Sequence, residues 1–205
     1  VTTDADRYEM YPSLQYDFES YASGVFDYNT SLPTNAWGFS WSKTAGGIKG
    51  ESNIVVSDGN KKLSIIGNSK NWLKSLPANI TAGDTYAEHQ AWEVEVNVPA
   101  NMATDAEIVA LNIYTTKAKA EEGGFKIAGG KVYYDNAGSY VELEGVNASA
   151  GSKLTLKRNF NFTKEDAFTC TYTVFDADGK VLGEVKDVPV ASKVKIPVAR
   201  IGIGV

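Results

Sequence analysis

Apolar and polar residues alternate with a period of two in many segments of this chain, and the clearest of these is 89–98, HQAWEVEVNV. One face of this segment, if extended, is mainly apolar and carries Gln90, Trp92, Val94, Val96 and Val98. The other face is mainly polar and carries His89, Ala91, Glu93, Glu95 and Asn97. The pattern predicts a half-buried β-strand that ends at Pro99, with Trp92 in the core.

Short turn signals separate several of the apolar runs and predict antiparallel hairpins. Asp58-Gly59-Asn60 lies between 53–57 and 62–66, and Ala177-Asp178-Gly179 lies between 168–176 and 180–185. Gly129-Gly130 closes a third hairpin within 124–135.

Two further segments alternate in the same way. In 107–116 we expect Val109, Leu111 and Ile113 to face inward, and Ala110, Asn112 and Tyr114 to face outward. We also expect this strand to lie beside the strand at 89–98. In 198–205, Arg200, Gly202 and Gly204 are predicted to face outward, and the two glycines would let a ligand approach closely.

Three of the four tryptophans, Trp37, Trp41 and Trp72, lie before the strand at 89–98. Trp37 and Trp41 share a face with Phe39 if 36–41 is extended, and such rings serve either the core or a stacking platform. Trp72 lies in 68–84, which we expect to be a long loop with one helical turn at 71–76. Long loops often carry functional residues.

These patterns predict an all-β protein, a two-sheet antiparallel β-sandwich. About a dozen strands are indicated, with turn signals every 8 to 12 residues and almost no helical periodicity. We expect residues 16–205 to form one domain that begins with a short strand at 16–19, since sandwiches of this size are common as single units. Residues 1–15 are polar and unpatterned, as in a linker or an expression boundary, and we expect a module of a larger protein.

Charge and composition indicate which classes of binding partner are unfavourable for this chain. The net charge of −5 and pI near 5.0 disfavour nucleic acids and anionic membranes, which both require a cationic surface. No apolar run has transmembrane length, so membrane insertion is not expected. The single cysteine, Cys170, excludes an intrachain disulfide and shares a strand face with Tyr172 and Val174, which predicts a buried, inert thiol.

Four segments together resemble the concanavalin A-like (laminin-G-like) jelly-roll superfamily. They are YDFESYASG at 16–24, SDGNKKLSIIG at 57–67, KLTLKRNFNF at 153–162 and YTVFDADGKVLGEV at 172–185. The resemblance implies a jelly-roll sandwich of two sheets, whose concave face binds carbohydrate in many secreted or cell-surface modules. It also implies that a calcium ion, where one is bound, is structural.

The superfamily also contains hydrolases and lyases, whose motifs are matched only in part. The laminarinase-like hydrolases carry E-x-D-x-E, and the corresponding residues here are Glu93, Glu95 and Asn97. An amide at the last position cannot donate and recover a proton, so Glu93 and Glu95 are the acids of an incomplete site. The alginate lyases carry an arginine-rich strand and Q-I-H, whereas this chain has Glu88-His89-Gln90 and no R-x-E-x-R.

The sequence gives little support for a metal or cofactor site. There is no Cys/His spacing of a zinc site, and no cofactor is required. Calcium could be held by the carboxylates of Asp17, Glu19, Asp176 and Asp178. The alternative is that these acids serve turns and strand ends, where Asp is common.

The leading interpretation is a non-catalytic carbohydrate-binding module for a neutral plant or microbial polysaccharide, working outside the cell. Its predicted ligand-binding residues are Trp37, Trp41, Trp72, His89, Glu93, Glu95, Asn97, Asn112, Tyr114 and Arg200. One alternative is an endo-acting glycoside hydrolase or polysaccharide lyase centred on Glu93 and Glu95. Another is a protein-binding or adhesive module, for which an exposed apolar patch would be expected.

Overall fold

The computed structural model describes residues 89–114, 123–164 and 167–190 with their side chains, except those of Gln90, Ile113 and Tyr114. It also describes the backbone of six further strands. Throughout these parts of the chain the regular elements are β-strands. Trp37 and the predicted strand at 16–19 lie outside them.

The strands are numbered in chain order. The first seven are β1 (Gly24–Val25), β2 (Ser40–Lys43), β3 (Gly50–Ser57), β4 (Asn60–Gly67), β5 (Trp72–Leu76), β6 (His89–Asn97) and β7 (Glu107–Tyr114). The others are β8 (Phe125–Ala128), β9 (Lys131–Asn136), β10 (Ser139–Asn147), β11 (Lys153–Asn161), β12 (Thr169–Phe175), β13 (Val181–Pro189) and β14 (Arg200–Gly204).

All strand pairs are antiparallel. A seven-stranded sheet, the large sheet, has the order β10-β9-β8-β7-β14-β5-β2, and a four-stranded sheet, the second sheet, has the order β13-β12-β11-β6. A third sheet has the order β1-β3-β4. The large and second sheets pack face to face around one core, so the predicted two-sheet β-sandwich is confirmed.

The core is formed by alternate residues from the facing sides of the two sheets. The large sheet contributes Ile108, Ala110, Phe125, Ile127, Val132, Leu143 and Val146. The second sheet contributes Leu154, Leu156, Phe160, Cys170, Tyr172, Val174 and Val188. Tyr172 joins the sheets directly: its ring meets Phe125 edge-on at 5.1 Å between centroids, and its hydroxyl donates to the carbonyl of Asp135 at 3.0 Å.

The predicted strand at 89–98 is confirmed as β6. Glu93 and Glu95 are exposed, while Trp92, Val94 and Val96 are half-buried and pack against the core. Its neighbour was predicted wrongly: β6 pairs with β11, whereas β7 belongs to the large sheet, between β8 and β14. Sequence adjacency suggested the pairing, but the chain crosses from one sheet to the other between β6 and β7.

The predicted hairpins are present. β3 pairs with β4, and β12 pairs with β13 across the turn that contains Gly179. The two-residue turn between β8 and β9 has positive φ at Gly129 (56°) and Gly130 (77°), as a type I′ turn requires. At 71–76, however, the expected helical turn is wrong, because β5 is a strand that pairs with β2 and β14.

A β-bulge in β7 changes which residues face the core. Ala110 pairs with Ile203 and Asn112 pairs with Gly202, so the intervening Leu111, with φ of 59°, has no position of its own in the register. The alternation therefore shifts by one residue. Ala110 faces inward and is 1% exposed, in contrast to the prediction, and Asn112 lies on the other face.

Candidate functional site

The predicted ligand-binding residues fall on two different sheets. His89, Glu93, Glu95 and Asn97 lie on β6, in the second sheet. Trp41, Trp72, Asn112, Tyr114 and Arg200 lie on strands of the large sheet. In the large sheet, the register places Arg200 opposite Tyr114 and Gly202 opposite Asn112. A ligand on the outer face of one sheet cannot contact the outer face of the other, so these residues cannot form one site.

The acidic residues of β6 lie on an open, polar surface. Glu93 pairs across the strands with Lys157, and their charged atoms are 3.7 Å apart. Glu95 lies opposite Thr155. Carboxylates two residues apart on a strand are separated by about 6 to 7 Å. Glu93 and Glu95 are both exposed, whereas the general acid of a paired-carboxylate hydrolase usually lies in apolar surroundings.

The outer face of the large sheet carries an aromatic and charged cluster, which we call the Tyr–Lys cluster: Tyr133, Tyr140, Lys126 and Glu107. The Lys126 ammonium lies 5.1 Å from the centroid of the Tyr133 ring and 4.8 Å from that of Tyr140. Its Nζ is 3.5 Å from a carboxylate oxygen of Glu107. Cation–π contacts of this kind stabilise exposed rings by about 0.5 to 1 kcal/mol each.

Tyr140 combines an exposed ring with an enclosed hydroxyl. The residue as a whole is 37% exposed, but its oxygen lies beside Gly123 and is hydrogen-bonded to the backbone of Gly124. Burial of the hydroxyl, reinforced by the negative charge of Asp135, raises the pKa of Tyr140 to about 12. The ring is therefore held at its hydroxyl end by the sheet and on one face by Lys126.

The dipeptide Gly123-Gly124 is clamped beside this cluster, and all four of its backbone polar groups are bonded. The amide of Gly123 donates to Oδ2 of Asp135 at 2.7 Å, and its carbonyl accepts from Arg158 at 3.0 Å. The amide of Gly124 donates to Oδ1 of Asn112 at 3.0 Å, and its carbonyl accepts from the amide of Asp135 at 2.9 Å. Asn112, a predicted ligand-binding residue, is 4% exposed, and its side-chain oxygen Oδ1 is used in this bond to Gly124.

Arg158 is a residue that the sequence reasoning missed. It is fully buried, its guanidinium lies 4.6 Å from the ring centroid of Phe160 and 4.5 Å from that of Tyr172, and Nη1 reaches two backbone carbonyls. The signal was present in the sequence: the alternation that places Leu154 and Leu156 inward also places Arg158 inward.

Two of the four predicted calcium ligands, Asp176 and Asp178, lie within the described residues. Oδ1 of Asp176 accepts from the amides of Asp178 and Lys180 at 2.9 Å, which closes the β12–β13 turn, and Asp178 is exposed. Asp17 and Glu19 lie outside the described residues. Within 89–114, 123–164 and 167–190, no three Asp, Glu, His or Cys side chains are grouped as metal ligands. Those segments likewise contain no helix that could span a membrane.

Comparison with known proteins gives one structural similarity. No protein-family profile matches the chain, and no curated protein sequence matches it. The fold is similar to the crystal structure of a protein of unknown function from Shewanella oneidensis MR-1, with a TM-score of 0.56 and 11% sequence identity. That similarity covers all of this chain and 87% of the other. At such identity the similarity concerns the fold alone.

Proposed function

We propose that this protein is a non-catalytic carbohydrate-binding module that holds a neutral polysaccharide against the outer face of the large sheet. The observation that carries the proposal is the Tyr–Lys cluster, where partly exposed tyrosine rings stand beside hydrogen-bonding groups on that face. Sugar rings bind proteins through their C–H faces, which stack on aromatic rings, and through their hydroxyls, which pair with polar side chains. Such a module would belong to a secreted or cell-surface protein.

The distribution of the predicted ligands supports the choice of face. Trp72, Tyr114 and Arg200 occupy register positions on the same face of the large sheet as the Tyr–Lys cluster. Trp41 pairs with Ser75, a position on the core-facing side of that sheet, so it does not support this face. The acidic pair Glu93 and Glu95 belongs to the other sheet. A glycan stacked on the large sheet is therefore out of reach of these two acids, which favours binding without cleavage over the hydrolase alternative.

The charges of the cluster favour a neutral ligand. Lys126 is paired with Glu107, and Lys131 is paired with Glu142 at 2.7 Å on the neighbouring strands. These two ion pairs carry no net charge, so they offer no net attraction to an anionic polymer, and the net charge of −5 on the chain opposes the approach of such a polymer.

Calorimetry and affinity electrophoresis against neutral glucans, mannans and xylans test the proposal, with alginate as the anionic comparison. We expect retention by at least one neutral polymer and weaker retention by alginate. The double variant Glu93→Gln/Glu95→Gln, on the opposite face, should bind as the wild type does. No retention by any neutral glycan would refute the proposed function. Loss of binding in the double variant would refute the proposed face, and reducing-sugar release that this variant abolishes would establish the hydrolase instead.

A further inference from the structure

One line of residues crosses the outer face of the large sheet at right angles to the strands. Adjacent pairs in the register are Glu142 and Tyr133, Tyr133 and Lys126, Lys126 and Val109, Val109 and Gly204, and finally Gly204 and Trp72. Residues directly opposite one another in antiparallel strands lie on the same face of a sheet. The line therefore runs through five neighbouring strands from β10 to β14 and reaches β5.

The middle of this line has little side-chain bulk. Val109 and Gly204 occupy the positions between Lys126 and Trp72. From Tyr133 to Trp72 the line crosses four strand spacings, which at about 4.8 Å each amounts to about 19 Å. A stretch of this length, from Tyr133 to the register position of Trp72, suits an extended chain of several sugar units.

The Tyr–Lys cluster is preorganised at one end of the line. The hydroxyl of Tyr140 lies at the Gly123-Gly124 clamp and its ring lies against Lys126, so binding would cost the ring little additional ordering. The Lys126 side chain is 21% exposed, and its ammonium has three N–H groups and lies 3.5 Å from a carboxylate oxygen of Glu107. The N–H groups of Lys126 and the carboxylate of Glu107 can bond sugar hydroxyls beside the rings.

We infer that the polysaccharide lies across the strands of the large sheet, and that Tyr133, Tyr140 and Lys126 form a terminal subsite for one neutral sugar ring. This inference rests on the proposed function and adds to it the direction of the chain and a subsite that the sequence did not indicate. It requires affinity to increase with oligosaccharide length, because only a long chain contacts both the Tyr–Lys cluster and the strands around Trp72.

The experiment is calorimetry with cello-, laminari-, manno- and xylo-oligosaccharides, from disaccharides to hexasaccharides, on the wild type and on Tyr140→Ala, Tyr140→Phe, Lys126→Arg and Val181→Ala. We expect hexasaccharides of the bound class to bind more tightly than disaccharides. Tyr140→Ala should weaken hexasaccharide binding about tenfold, the size of one aromatic contact. Tyr140→Phe keeps the ring and Lys126→Arg keeps the positive charge, so both variants should lose much less affinity for the hexasaccharide than Tyr140→Ala does.

Val181→Ala is the matched control, because Val181 is an exposed apolar residue, 49% exposed, on a strand of the second sheet. It should bind as the wild type does, and circular dichroism should show every variant folded. If Tyr140→Ala binds hexasaccharides as tightly as Val181→Ala does, or if disaccharides bind as tightly as hexasaccharides, the subsite is refuted and the proposed function stands. If the wild type binds no neutral glycan of any length, the proposed function itself is refuted.

Discussion

Arg158 donates from Nη1 to the carbonyl oxygen of Leu111 at 2.9 Å, and this bond crosses the core from the second sheet to the large sheet. Leu111 is the bulged residue of β7, with φ of 59°, so its carbonyl is turned out of the regular ladder. The same Arg158 nitrogen also reaches the carbonyl of Gly123 at 3.0 Å. One buried cation thus fixes both the bulge and the Gly123-Gly124 clamp beneath the proposed binding face.

Arg158→Met should destabilise the fold by about 3 kcal/mol, because it leaves the carbonyls of Leu111 and Gly123 buried without their donor. Urea denaturation measures the change as a lower midpoint. Lys157→Met is the control: the neighbouring residue lies on the outer face of the same strand, and its exposed ion pair with Glu93 should contribute no more than about 0.5 kcal/mol. Equal midpoints for the two variants would contradict the assigned role of Arg158.

Gly124→Ala should lower the free energy of unfolding more than Gly183→Ala does. A Cβ at Gly124 would collide with the backbone of Ala110 and lie 2.6 Å from the carbonyl group of Leu111, and the backbone of a paired strand cannot yield. At Gly183 the nearest atom is a methyl group of Val146 at 2.5 Å, which can move with its side chain.

We therefore expect losses in the free energy of unfolding of about 3 kcal/mol for Gly124→Ala and about 1 kcal/mol for Gly183→Ala. Chemical denaturation of both variants against the wild type measures the difference. The reverse order would show that the backbone contact at Gly124 relaxes freely.

Tyr140 should make stability fall at high pH. Its pKa in the folded protein is about 12, above the ordinary value of 10.0, so between these values the unfolded chain ionises this tyrosine while the folded protein does not. The stabilisation is complete below pH 10 and is lost as the pH rises to about 12. Urea midpoints followed from about pH 9 to about pH 12 should therefore fall more steeply for the wild type than for Tyr140→Phe. Parallel curves would mean that the hydroxyl is not enclosed.

Cys170 should be inert to thiol reagents in the native protein. It is 2% exposed, and its sulfur lies 3.4 Å from Nε of Arg158 in the core, where an aqueous reagent cannot reach it. Labelling with a chromogenic disulfide should proceed only in denaturant, and it should be faster in Arg158→Met than in the wild type. Rapid stoichiometric labelling of the native protein would contradict the burial of Cys170.

Part of the candidate site follows from the sequence, and the rest depends on pairings between distant segments. The alternation in 89–98 predicted correctly that Glu93 and Glu95 face away from Trp92. It could not show which strand lies beside them, because the partner at 153–161 is more than fifty residues away. Lys126, Tyr133 and Tyr140 lie on three different strands, β8, β9 and β10. No local sequence motif predicts that they come together.

By itself, the sequence determined the all-β class, the hairpins and the core face of β6, because each depends on a period of two or on turn residues within a few positions. Only the tertiary structure decided that β6 and β7 belong to different sheets, and hence that the predicted ligand residues are divided between two faces. It also decided that the bulge at Leu111 turns Ala110 inward and brings Asn112 to the Gly123-Gly124 clamp. A one-residue shift in register reverses the faces of a strand, and only its paired neighbours fix that shift.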